Sequence, residues 1–160
     1  MLNNKSLLLN LILFVSFVAL ISAFFIEYIL GHQPCNLCIL ERIPYLVAIV
    51  IILLNYKFSH FEKLFLVLLI IVFLTATILS IYHFGIEQGF IEESLVCDLK
   101  NSSGVTSKEE ILKQLQEQKV SCKDVTLKIF GLSLTTYNIV ISILITINTL
   151  KIYLNYAKSK

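Results

Sequence analysis

Four apolar segments, each close to the length that crosses a lipid bilayer, constrain the fold of this 160-residue chain more than any other feature. A helix needs about 20 apolar residues to span the hydrocarbon core. The second segment is the shortest, but a helix from Cys38 to Leu54 covers roughly 25 Å at about 1.5 Å per residue, with Glu41 and Arg42 at the interface. The sequence therefore predicts an all-α membrane protein, a single-domain bundle of four transmembrane helices over about residues 7–26, 39–54, 64–81 and 129–150.

The composition supports this class of protein. Hydrophobic residues make up 57% of the chain, charged residues only 15%, and the mean hydropathy is +0.83, outside the range of a soluble domain. The net charge of +2 is small and the basic residues form no single patch, which excludes a nucleic-acid-binding protein. Lys5 before the first apolar run also fits a signal peptide, but the run is longer than a signal core and no cleavage site follows before Glu27.

The charges flanking the spans predict the orientation in the membrane. Four spans place both termini on one side and the loops over about 27–38 and 82–128 on the other. Lysines flank the ends on the side of the termini, and only Glu62 opposes them: Lys5, Lys57, Lys63, Lys151, Lys158 and Lys160. The positive-inside rule therefore predicts cytoplasmic termini and loops that face the periplasm of a bacterium. The long loop holds six lysines of its own, but the rule is weak for long loops.

All four cysteines lie in these two loops. Cys35 and Cys38 form a C-x-x-C, whose spacing suits thiol–disulfide exchange, and Cys97 and Cys122 follow in the long loop. Outside the cytoplasm disulfides persist, so the sequence predicts two redox pairs on one face of the membrane. A purely structural disulfide between Cys97 and Cys122 stays open. A zinc knuckle of four cysteines is disfavoured because 24 residues separate Cys97 from Cys122 and no histidine lies near the latter.

The residues around the C-x-x-C indicate its local chemistry. Pro34 suits a helix start at the thiols, where the helix dipole favours thiolate, and Pro44 predicts a local kink. Arg42 follows Cys38 by one helical turn, so both lie on one face. The guanidinium either stabilises a Cys38 thiolate and binds an anionic oxygen of an electron acceptor, or reaches lipid phosphates at the interface. The spacing leaves both interpretations open.

The segment from Gln33 to Arg42, a C-x-x-C followed by Glu-Arg, resembles the signature of the disulfide bond formation protein B (DsbB) family. The resemblance extends to the four spans, to Tyr82-His83 closing the third, to the second cysteine pair and to the stretch before the last span. Members of this family are four-helix inner-membrane proteins. They reoxidise a periplasmic thioredoxin-fold oxidase of the DsbA type and pass the electrons to a membrane quinone.

The resemblance implies a role for each cysteine. Cys97 is the sulfur that the partner's thiolate attacks, which releases Cys122. Cys122 then pairs with Cys35 across the loops and leaves Cys38 as a thiolate beside the quinone. Oxidation by the quinone restores the disulfide between Cys35 and Cys38.

The resemblance also implies the residues that bind the quinone, which is ubiquinone or menaquinone. Arg42 orients a quinone oxygen, and His83 lines the same pocket or acts only as a hydrogen-bonding group at the interface. The sequence carries no haem or flavin signature, and the predicted chemistry requires no metal.

For the other polar residues the sequence predicts mainly structural roles. Ser107 to Glu110 has capping-box spacing and predicts a short amphipathic helix to about Lys119, which rests on the membrane as the family's loop helix does or packs on the bundle. Glu27 and Glu87 are predicted as solvated interfacial groups rather than proton relays. Quinone reduction needs protons, so a relay role for Glu87 stays open. Polar residues of the fourth span, including Thr135 and Asn138, are predicted to serve helix packing.

Three alternatives to a general quinone-coupled oxidase remain. One is a relative of the DsbB family dedicated to a specific partner. Another is a membrane thiol reductase, which should carry cysteines within its spans or a cytoplasmic donor site, and the predicted spans contain neither. The third is a scaffold whose two disulfides only cross-link the loops.

Overall fold

The computed structural model describes residues 2–92, 97, 121–123 and 127–158. These described residues form five α-helices: α1 (Leu2–Tyr28), α2 (Asn36–Leu40), α3 (Arg42–Lys57), α4 (Glu62–Glu87) and α5 (Leu134–Lys158). Four helical stretches are long and apolar enough to cross a membrane: Ser6–Tyr28, Asn36–Lys57, Glu62–Glu87 and Leu134–Asn155. The predicted four-helix membrane fold is confirmed, and the protein is a multi-pass membrane protein. The predicted loop helix over 107–119 lies outside the described residues.

The second span is broken into two helices at Glu41. Pro44 has no N–H with which to bond the carbonyl of Leu40, four residues before it, so the helix loses a hydrogen bond where α2 ends and α3 begins. The break falls in the first turns of the span, where the sequence predicts a kink. It turns the carboxylate of Glu41 into the bundle, where its side chain is 10% exposed.

The fourth span begins later than predicted. Residues 128–133 form a short hairpin in which Lys128–Ile129 (β1) pairs with Leu132–Ser133 (β2), and α5 starts only at Leu134. Phe130 and Gly131 between the strands both have positive φ, 51° and 82°. A helix cannot run through this left-handed turn. The predicted start near residue 129 was wrong because hydropathy alone does not register a two-residue turn.

The helices pack around a core that α1, α3, α4 and α5 share. α4 contacts α3 and α5, and α1 contacts α3. Phe73 of α4 is fully buried and meets the ring of Tyr45 edge-on, with ring centroids 5.9 Å apart. Large apolar side chains such as Leu46 and Leu74 lie exposed on the outside of the bundle. This outer surface faces lipid, so close packing and hydrogen bonds between helices hold the bundle together.

Candidate active site

The two cysteine pairs meet at one end of the bundle. Cys97 and Cys122 form a disulfide, whereas Cys35 and Cys38 are free thiols. All four cysteines belong to one buried apolar cluster between the second span and α4. The side-chain amide of Asn36 lies 3.5 Å from the carbonyl oxygen of Cys97. The structure therefore brings together the four cysteines that the sequence places in two separate loops.

Cys35 is the N-terminal cap of α2. Its backbone is extended, and its sulfur accepts a hydrogen bond from the backbone N–H of Cys38 at 3.2 Å. This bond satisfies one of the donors that a helix start leaves free, which is why the second span begins at the thiols. Cys35 is 5% exposed, and Cys38 is only half-buried.

A buried histidine connects the thiols to a carboxylate. Nε2 of His83 lies 3.5 Å from the Cys35 sulfur, and Nδ1 lies 2.8 Å from Oε1 of Glu41. The hydroxyl of Thr135 is 3.4 Å from the same Nδ1. Because the Glu41 carboxylate accepts the Nδ1–H, Nε2 faces Cys35, where it can take the thiol proton and then donate a hydrogen bond to the thiolate. The series cysteine, histidine and glutamate has the order of a nucleophile, its base and the group that orients the base.

The surroundings of Cys35 favour its thiolate. The pKa of Cys35 is lowered to about 5, chiefly because the thiol of Cys38 donates a hydrogen bond to the Cys35 sulfur. Burial opposes this effect, and the hydrogen bond and positive charge of His83 support it. In the dithiol state Cys35 therefore carries the negative charge of the pair.

Arg42 has a partner that the sequence does not reveal. Its Nη1 donates to Oε2 of Glu27 in α1 at 2.5 Å, and its guanidinium lies 5.3 Å from the centroid of the Phe24 ring. Glu27, predicted as a solvated interfacial group, has a side chain that is 24% exposed and forms this ion pair. Arg42 and Cys38 line the same cavity.

Glu87 is buried, so its prediction as a solvated group was wrong. Its side chain is 6% exposed, and Oε1 accepts a hydrogen bond from Thr135 at 2.6 Å. The same oxygen lies 3.9 Å from Nε2 of His83. Oε2 is buried and has no hydrogen-bond partner within the part of the chain that the structure describes. α4 extends to Glu87, which brings this carboxylate and His83 onto one helix face.

Asn138 of α5 is hydrogen-bonded to the helix break at Glu41, to α3 and to α4. Its Nδ2 donates to Oε2 of Glu41 at 2.7 Å and to the hydroxyl of Ser80 at 2.8 Å, and its Oδ1 accepts from the hydroxyl of Tyr45. The sequence predicts only helix packing for Asn138 and Thr135 and an interfacial position for Glu41, which is instead 8% exposed within this network. It assigns no role to Tyr45 or Ser80. Glu41 lies three residues after Cys38 and His83 lies four before Glu87, so helical spacing was the available signal.

A cavity of about 720 Å³ opens beside the thiols. Apolar residues of α1 and α5 form its long walls, and Cys38, Arg42 and His83 line one end. Its volume lies in the range of small-molecule sites, and its apolar walls with few polar groups are typical of them. The cavity can hold an elongated apolar molecule whose polar head reaches Cys38.

Comparison with known proteins identifies similar sequences. The family model described as "Disulfide bond formation protein DsbB" matches residues 5–152. An uncharacterized protein of Rickettsia prowazekii (strain Madrid E) is 37% identical over 155 residues, which cover 94% of this chain and 89% of that protein.

The lowered pKa of Cys35 predicts how the reduced protein titrates. Its thiolate is present above pH about 5 and is lost as the pH falls through that value. The ultraviolet absorbance of thiolate, measured as the difference between the reduced chain and its Cys35→Ser variant, should show this midpoint. His83→Gln should raise the midpoint towards the ordinary thiol value of about 8.5, because a hydrogen bond and a positive charge are lost. His32→Gln, at the cavity wall, is the matched control and should leave it unchanged. A midpoint near 8.5 in the unaltered chain would contradict the prediction.

Proposed function

We propose that this chain, which belongs to the disulfide bond formation protein DsbB family, takes electrons from a periplasmic dithiol protein of the DsbA type and passes them to a membrane quinone. Membership of this family identifies the protein as a membrane oxidoreductase that acts in disulfide bond formation. The partner and the electron acceptor are the parts that we propose.

One observation carries the proposal: a dithiol and a disulfide lie in one apolar cluster, and three of their cysteines, Cys35, Cys38 and Cys122, line a cavity walled by membrane helices. A scaffold protein that only cross-links its loops would need the disulfide but not the dithiol beside it. A pair of adjacent thiol couples can exchange electrons with each other, because a thiolate attacks a disulfide sulfur directly. Cys38 lines the cavity, so electrons that reach this couple are within reach of a lipid-soluble acceptor.

The outer couple reacts with the protein partner. A partner thiolate attacks the sulfur of Cys97, the bond between Cys97 and Cys122 breaks, and Cys122 leaves as thiolate. The second partner thiolate then attacks the mixed disulfide, so the partner gains a disulfide and two electrons stay on the outer couple. Cys97 is half-buried whereas Cys122 is 3% exposed, which supports Cys97 as the attacked sulfur.

The two couples then exchange. The Cys122 thiolate attacks Cys35 of the inner disulfide and releases Cys38, and Cys97 attacks Cys122 and releases Cys35. The result is a disulfide between Cys97 and Cys122 and a dithiol at Cys35 and Cys38. This is the pairing that the structure has.

The inner couple holds two electrons for the acceptor, and two protons lie beside them, one on the Cys38 thiol and one on His83. A quinone bound in the cavity takes up both. Nε2 of His83 receives the proton of Cys35, and Glu41 stabilises the resulting imidazolium through Nδ1. Cys38 borders the space where the head group binds, and Arg42 supplies a hydrogen-bond donor and a positive charge at that end.

The orientation of the chain belongs to the same proposal. The lysines that flank the spans support an inner-membrane protein with cytoplasmic termini and periplasmic cysteines. The periplasm is oxidising, so disulfides formed there in the partner and its substrates persist. The second candidate function is that of a family member dedicated to one specific partner. The contacts of the site fit a general oxidase and a dedicated one equally well.

Two cysteine variants test the proposal by failing at different steps. Cys38→Ser should abolish quinone reduction, yet its outer disulfide should still oxidise one equivalent of a reduced thioredoxin-fold partner. Cys97→Ser should abolish oxidation of the partner, yet quinone should still oxidise its Cys35 and Cys38 thiols. Both are measured by quinone absorbance and thiol counting, with thermal unfolding as the control for folding. If both variants turn over like the unaltered chain, the proposed function is wrong.

Arg42 and Glu27 form a matched pair for testing the quinone end. Arg42→Leu should raise the KM for quinone roughly tenfold or more, because a hydrogen bond from a charged group is worth about 1.5–3 kcal/mol. The KM for the partner should not change. Glu27→Gln breaks the same ion pair but keeps the guanidinium, so its quinone KM should stay level or fall. Equal increases in both variants would show that Arg42 acts only through the ion pair.

A further inference from the structure

The two free thiols and the buried histidine converge as metal ligands do. The sulfurs of Cys35 and Cys38 and a ring nitrogen of His83 all lie within 4.8 Å of one another. We propose that these three residues bind a thiophilic divalent cation such as Zn²⁺ or Cd²⁺ when the thiols are reduced. This inference requires only the reduced thiols and holds whichever electron acceptor the protein uses.

The types and distances of the ligands suit zinc. Thiolate sulfur and imidazole nitrogen are its usual protein ligands, at about 2.3 Å and about 2.0–2.1 Å. In a tetrahedral site these lengths place a sulfur and a nitrogen about 3.5 Å apart. The distance from the Cys35 sulfur to Nε2 of His83 is 3.5 Å. Two thiolates also neutralise the charge of the cation, which a site at the membrane edge requires.

Glu41 holds His83 in the orientation that a metal ligand needs. A histidine that binds a metal through one nitrogen almost always donates its other N–H to a carboxylate, a carbonyl or water. Nδ1 of His83 lies 2.8 Å from Oε1 of Glu41, which leaves Nε2 free to face the thiols. The outer support of the site is therefore already in place.

Glu87 lies beside the three ligands and is an independent sign of a cation. Its Oε1 is 3.9 Å from Nε2 of His83, and Thr135 donates to that oxygen. Its Oε2 is buried without a hydrogen-bond partner among the described residues. An unpaired buried carboxylate oxygen is costly, and a cation bound at His83 would place a compensating positive charge beside this carboxylate. This ligand set differs from the four-cysteine knuckle that the sequence disfavours.

Metal binding at this site depends on the redox state. The cation displaces the proton of the Cys38 thiol and the Nε2 proton of His83 and transfers no electrons, so it binds the dithiol and not the disulfide. While it is bound, both sulfurs are held as thiolates and cannot form the bond between Cys35 and Cys38. The reduced centre is thereby closed to exchange until the cation leaves.

The test is a Cd²⁺ titration of the full chain in detergent, with Cys97→Ser and Cys122→Ser so that only the inner thiols remain. The ultraviolet charge-transfer band from thiolate to metal reports binding, and competition with a zinc chelator gives the Zn²⁺ affinity. The reduced chain should bind one cation, and the chain with the inner disulfide formed should bind none. Glu41→Gln should weaken binding about 10- to 100-fold, the usual effect of losing outer-shell support.

Histidine variants decide whether the site is the one proposed. His83→Ala should weaken Cd²⁺ binding at least as much as Glu41→Gln, and His32→Ala is the matched control at the cavity wall. Glu87→Gln, which retains the shape of the side chain, should also weaken it. The proposal is overturned if the reduced chain binds no cation, or if His83→Ala and Glu87→Gln both bind as tightly as the control. Since none of these titrations uses quinone, a chain that fails to reduce quinone can still bind Cd²⁺.

Discussion

The hydrogen bond between His83 and Glu41 is the interaction on which the rest of the site depends. It joins the helix break in the second span to α4, and both residues are almost fully buried. Polar groups at this depth must be satisfied by the protein itself. Asn138 and Thr135 of α5 supply the remaining partners, so the last span is held to the other two by the same network. The bond also directs Nε2 at the thiols, which links the packing of the bundle to its chemistry.

Much of the fold follows from the sequence because the bilayer permits few alternatives. A helix satisfies its own backbone hydrogen bonds in lipid, so four apolar runs of spanning length predict four helical spans. The turn at Phe130 and Gly131 was missed because it depends on two positive φ angles in an apolar stretch. The predicted break near Pro44 required only the missing N–H of proline.

The candidate site was predictable only where a motif carries the chemistry. The C-x-x-C, the second cysteine pair and Arg42 one turn from Cys38 could be found from spacing alone. The ion pair between Arg42 and Glu27 joins two helices, and no spacing within one helix predicts it. Glu87 was misplaced for a similar reason: a carboxylate near the end of a span reads as solvated until its partner on α5 is known.

The central claim is that electrons pass between the two cysteine couples before they reach the acceptor. The most direct test starts from the fully reduced chain without a partner, adds quinone, quenches with acid and maps the disulfides by mass spectrometry over time. The account predicts that the disulfide between Cys35 and Cys38 forms first, and that the one between Cys97 and Cys122 then appears at its expense. Formation of the outer disulfide first, or at an unchanged rate in Cys38→Ser, would contradict it.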